Sequence, residues 1–164
     1  PENDRARDAR TGRERRAADG DLVDRGLPAD PARGGGDEVA LGDPRRLIEV
    51  ASTDRHEVKP WFQGRVDFSP PVPDLAGDGF NLSGGRLDHV GDRRAAAIVY
   101  RIRRHVINLY VWRATGEAAT PATFSGLRGF GVMAWTEGGL HYAAVSDVDR
   151  RDLERFAGLL RAPR

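Results

Sequence analysis

The chain reads as an α+β domain, an antiparallel β-meander sheet with a short N-terminal helix and a C-terminal amphipathic helix packed on one face. Three observations predict it. Between Phe80 and Ser146, alternating apolar runs are separated by short glycine or charged turns, the pattern of an antiparallel sheet. Ahead of them, Asp54 and Glu57 stand three residues apart at a helix start, and behind them Leu153, Phe156, Ala157 and Leu160 recur at helical spacing. A length of 164 residues suits one domain with a tail, and a chain of that size can bury an adequate core.

Residues 1–45 are dense in Arg, Asp and Glu among Ala, Gly and Pro, with Leu22, Val23, Leu27, Val39 and Leu41 as the only sizeable apolar side chains. Such a composition cannot bury enough surface to offset its ordering entropy, so a disordered leader is expected. It closes on the breakers Gly34-Gly35-Gly36 and Gly42-Asp43-Pro44. A wrong-frame translation of GC-rich DNA yields the same residue types and is the alternative for this stretch. The chain begins at Pro1 without an initiator Met, so a fragment, a processed product or a mid-frame start is expected.

The single domain is expected over residues 46–164. Leu47-Ile48-Glu49-Val50 is a short apolar run suited to a strand. Asp54 can then cap a helix while Glu57 reaches back to it, and Pro60 keeps that helix short or kinked. Pro70, Pro71 and Pro73 predict an irregular or single-turn connection from Ser69 to Gly79. Gly84-Gly85 within Leu82–Val90 suggests a bulge or a bend. In the next strand Ile98, Tyr100 and Ile102 share one face, with Val99, Arg101 and Arg103 on the other. His105–Trp112 is apolar on both faces and is the expected central strand. Glu137-Gly138-Gly139 reads as a three-residue hairpin loop. Asp149 is the expected cap of the last helix.

Charge and composition exclude several function classes. There are 26 basic and 25 acidic residues, so no net field attracts nucleic acid, and no nucleic-acid partner is expected. Lys59 is the sole lysine, and the arginine excess reads as codon bias rather than as repeated demand for anion recognition. The absence of cysteine removes disulfides, thiol catalysis and cysteine-based zinc sites. No apolar run approaches the roughly 20 residues needed to span a bilayer, so the chain as written is expected to be soluble.

Candidate chemistry is sparse. His56, His89, His105 and His141 form no close pair at metal-ligand spacing, and no metal site or cofactor is expected. Ser83 precedes two glycines without a nucleophile elbow and reads as a turn hydroxyl. Arg101, Arg103, Arg104 and His105 make a basic corner which, with Trp61, Phe62, Tyr110 and Trp112, superficially suits single-stranded nucleic acid. The acidic residues around it argue for a solvated strand face. The segment His56 to Phe62 is the strongest candidate, because Lys59, Pro60, Trp61 and Phe62 form a proline-fixed turn able to offer two rings to a partner. The same rings could instead seal a core edge.

The run His56-Glu57-Val58-Lys59-Pro60-Trp61-Phe62-Gln63-Gly64-Arg65 is followed by Asp67-Phe68-Ser69-Pro70-Pro71-Val72-Pro73-Asp74-Leu75 and Gly79-Phe80. Further motifs are Gly84-Gly85-Arg86-Leu87-Asp88, Val99-Tyr100-Arg101, His105-Val106-Ile107-Asn108-Leu109, and Ala143 with Val145-Ser146-Asp147. In this order the segments resemble the extracytoplasmic domain of bacterial transmembrane anti-sigma factors, over roughly residues 46 to 160.

The resemblance implies a non-catalytic regulatory domain on the periplasmic side of the inner membrane, receiving an envelope protein or a small-ligand signal. It implies that a sigma factor is held only by a separate cytoplasmic zinc domain, and the membrane reached only through one helix. Neither the H-x-x-x-C-x-x-C motif of that zinc domain nor a membrane span occurs in this sequence. The alternative expectation is a small extracytoplasmic ligand-binding protein or hydrolase that uses His56, His105 or His141.

Overall fold

The structure is a computed structural model, which describes residues 47–127 and 129–162. The expected leader over residues 1–45 therefore lies outside the described residues. The elements are β1 (Val50–Ala51), α1 (Arg55–Trp61), a 3-10 turn at Ala76–Asp78, β2 (Asn81–Val90), β3 (Arg93–Ile102), β4 (His105–Arg113), β5 (Thr120–Leu127), β6 (Phe130–Glu137), β7 (Leu140–Ser146) and α2 (Arg150–Arg161). The strands form one antiparallel sheet in the order β1-β2-β3-β4-β7-β6-β5. The class is α+β.

The expected simple meander is corrected by this order. Two meanders, β2-β3-β4 and β5-β6-β7, meet where β4 pairs with β7, and β5 lies at the far edge. Chemistry explains the choice. The β4 residues Ile107 to Trp112 are all buried, so this strand needs apolar neighbours on both sides, and β7 supplies Tyr142, Ala143, Ala144 and Val145. By contrast β5 carries Pro121, which has no N–H for a ladder, and its residues are exposed or half-buried. An edge suits it.

The turns follow the same local logic. Glu137 pairs with Leu140, so the last hairpin turns on Gly138-Gly139 alone, two residues rather than the expected three. Both glycines have positive φ, 57° and 75°, as a type I′ turn demands. The bulge expected near Gly84-Gly85 falls between Leu82 and Gly84, where the β2–β3 register shifts.

The start of α1 also differs in detail from the expected reciprocal cap. Asp54 accepts the His56 amide at 2.7 Å, but Glu57 does not return to the Asp54 amide. The Ser52 hydroxyl stands between them, accepting from Asp54 N–H at 3.0 Å and donating to Glu57 at 2.6 Å. Pro60 lies in the last turn, where it removes one i→i−4 amide donor from this short helix. In α2, Asp149 accepts the Arg151 amide at 2.8 Å, while Leu153, Phe156 and Ala157 are buried.

The main core lies between the sheet and both helices. Val58 of α1 and Phe62 at its C-cap join Ile98, Tyr100, Ile107, Leu109, Trp135 and the apolar stripe of α2 in one cluster. Phe156 meets Phe80 and Tyr100 edge-to-face at centroid distances of 5.1 and 5.2 Å, a favoured aromatic geometry. The proline-rich connection is tied down by the Tyr100 hydroxyl, which donates to the Pro73 carbonyl at 2.8 Å. A second cluster occupies the opposite sheet face, with Ala95, Ala97, Tyr110, Trp112, Val132, Ala143 and Val145. That face holds the candidate site.

Candidate functional site

On the second face the pairing register sets Arg86, Ala97 and Tyr110 in one row across β2, β3 and β4, with Val99 and Asn108 paired in the next. Ala97 projects only a methyl, which leaves room above it for a long side chain. Arg86 fills that room. Its Nε donates to Asp88 Oδ2 at 3.1 Å, Nη1 to Asn108 Oδ1 at 2.8 Å, and Nη2 to the Tyr110 hydroxyl at 2.9 Å. The guanidinium is 0 % exposed and Asp88 and Asn108 are nearly as buried. A buried charge is tolerable only when paired and hydrogen-bonded, and this fork of acceptors meets that demand.

Beside the network runs an open groove of about 690 Å³. Strand alternation aims Val99 and Arg101 of β3, Val106 and Asn108 of β4, and Val145 and Asp147 at the end of β7 into it. Arg86 marks one end on β2 and Phe130 the other on β6, while Leu47 and Ile48 border it. Its middle is therefore aliphatic and its rim charged. His105 Nδ1 lies 3.0 Å from Asp147 Oδ1, and Arg103 is ion-paired to Asp152 of α2. The basic corner seen in the sequence is thus divided, because these two members are engaged while Arg101 and Arg104 stay on the groove rim.

The sequence candidates at α1 lie on a different surface. His56, Lys59 and Pro60 are exposed and border a depression of about 340 Å³ with Arg55, Pro71 and Val72. Phe62 is 0 % exposed and packs in the core, where a Cβ at Gly85 would stand 2.7 Å from its ring. Trp61 is half-buried, meets Phe62 edge-to-face at 5.1 Å, and is covered by the Arg65 guanidinium 4.6 Å from its ring centroid. The two rings therefore face different surroundings.

The histidines do not converge. His56 is on α1, His89 is exposed on β2, and His105 starts β4. His141 is buried on β7, with Nδ1 2.8 Å from the Thr136 hydroxyl and Nε2 3.4 Å from Glu117 Oε2. Thr136 and His141 are each 1 % exposed, while Glu117 is half-buried. Among the described residues no three His, Asp or Glu side chains gather where a metal ion could be held, and no helix is long and apolar enough to cross a membrane.

Sequence reasoning missed the Arg86 network and the groove. The available signal was a charge at Arg86 and Asp88 inside a strand whose neighbours are apolar, but their partners lie 22 and 24 residues away in sequence at Asn108 and Tyr110. No family model, curated protein or solved structure matches this chain.

Proposed function

We propose that this domain is a non-catalytic signal-receiving module, the periplasmic outer domain of a bacterial transmembrane anti-sigma factor. One observation carries the reading. Four of the segments on which the resemblance rests contribute to a single groove, which the segments between His56 and Phe80 do not line: Arg86 comes from Gly84-Gly85-Arg86-Leu87-Asp88, Val99 and Arg101 from Val99-Tyr100-Arg101, Val106 and Asn108 from the segment starting at His105, and Val145 and Asp147 from the last. Segments scattered over some sixty residues have a common use if that groove receives the signal.

Regulation through the groove requires that its ligand bind two states of the attached protein with different affinity. In this reading the sigma factor and the membrane are engaged by parts that the sequence does not contain. The buried Arg86 network gives the groove a rigid end, and such preorganisation reduces the ordering cost of binding.

The test is to read the genomic DNA upstream of the Leu47 codon in every frame. The reading expects an H-x-x-x-C-x-x-C motif followed by about 20 apolar residues. Absence of both from all frames would remove the anti-sigma role.

A further inference from the structure

The groove itself points to the chemistry of what it holds. Its rim cations Arg101 and Arg104 are both exposed, and among the described residues neither side chain makes a hydrogen bond or ion pair. Their neighbours are used differently, since Arg103 is held by Asp152 and Asp147 by His105. Two uncommitted guanidiniums thus stand beside a floor of Val99, Val106 and Val145. Leu47, on the border, is 87 % exposed.

Dimensions favour a chain over a compact molecule. From Arg86 on β2 to Phe130 on β6 the groove crosses β3, β4 and β7. Four interstrand steps make about 19 Å, the length of roughly six extended residues. An open trough leaves one side of its occupant in water, whereas small-molecule sites enclose most of the ligand surface. An extended peptide also presents alternate side chains to opposite sides, so one set can lie on the valines while the other meets the rim. Guanidinium groups favour carboxylates there, through paired, charge-assisted hydrogen bonds.

We infer that the groove binds an extended acidic peptide, its carboxylates paired with Arg101 and Arg104 and its apolar side chains on Val99, Val106 and Val145. This names the partner class for the groove on which the proposed signal-receiving role rests. The peptide lies across the strands and adds no strand to the sheet edge, so affinity depends on side chains more than on backbone ladders.

The test is fluorescence anisotropy with the full chain and a fluorescein-labelled hexapeptide alternating Leu and Asp. A hexapeptide alternating Leu and Asn is the control. The acidic peptide binds, the neutral one binds at least about tenfold more weakly, and the double substitution Arg101→Glu and Arg104→Glu brings a similar loss. Val106→Asp, which places a carboxylate in the floor, also weakens binding, while Arg151→Glu on α2 leaves it unchanged. Circular dichroism of each variant matches the parent.

Equal binding of both peptides, binding of neither, or an unchanged affinity in the double variant overturns the inference. Sodium oleate binding more tightly than the acidic peptide, and lost in the same variant, overturns it in favour of a lipid anion. Failure here is separable from failure of the anti-sigma reading, because peptide affinity is measured on the isolated chain and the upstream motif is read from DNA.

Discussion

Arg86 on β2 reaches over β3 to Asn108 on β4, with its Nη1 2.8 Å from the amide oxygen. The span is possible because Ala97, the β3 residue paired with Arg86, offers only a methyl beneath the guanidinium. One small residue thereby lets three strands share a single buried cation, and that cation forms the end of the groove.

Removing the cation should be severe. Arg86→Ala removes the buried cation that Asp88, Asn108 and Tyr110 share, and loss of one member of a buried charge pair costs about 3–5 kcal/mol. Urea unfolding at neutral pH measures it. A loss under about 1 kcal/mol would mean that water reaches the site.

Gly85 and Phe62 should be energetically coupled. A Cβ at Gly85 meets the Phe62 ring at 2.7 Å, and Phe62 is fully buried, so Gly85→Ala forces the ring to move. Overpacking of this kind costs about 1–3 kcal/mol. Pairing it with Phe62→Leu should recover part of the loss, read as a non-additive double-mutant cycle in urea.

The neighbouring Gly84→Ala should act on β1 instead. Gly84 has φ 141°, and an added Cβ would stand 2.1 Å from the Val50 carbonyl oxygen, a backbone atom that cannot yield without moving the strand. The Glu49 amide, which donates to the Gly85 carbonyl at 2.9 Å, should then exchange with deuterium faster while β4 amides keep their protection.

Alkaline stability should depend on Tyr142. Burial, with the Glu137 carboxylate as the smaller cause, raises its phenol above the ordinary value of 10.0. The folded chain therefore keeps a proton that the unfolded chain releases above that pH. Its contribution is fully present below pH 10.0 and is lost as pH climbs toward the raised folded value. Tyr142→Phe retains a ring to stack on Trp135, now at 4.9 Å, and should make the decline of stability above pH 10.0 less steep.

Particular residues show how far the sequence could be read. β4 is legible because Ile107, Leu109 and Val111 alternate with Val106, Tyr110 and Trp112, and only a central strand needs apolar side chains on both faces. α2 is legible through its cap and stripe. β5 is not, since Thr120, Pro121 and Ser125 show no alternation and its place follows from β4 preferring β7. The α1 candidates were found by residue type, which cannot tell that Phe62 turns inward while Lys59 stays out. The groove needs cross-strand register, which no local pattern carries.

The position of the acidic hexapeptide on the domain is the measurement that matters most. Deuterium uptake of the full chain would be followed with and without saturating Leu-Asp peptide. Binding in the groove adds protection together in residues 99–101, 106–108 and 145–147, with none in α1. Protection confined to residues 55–61, or none anywhere, would contradict it and move the binding surface away from the groove.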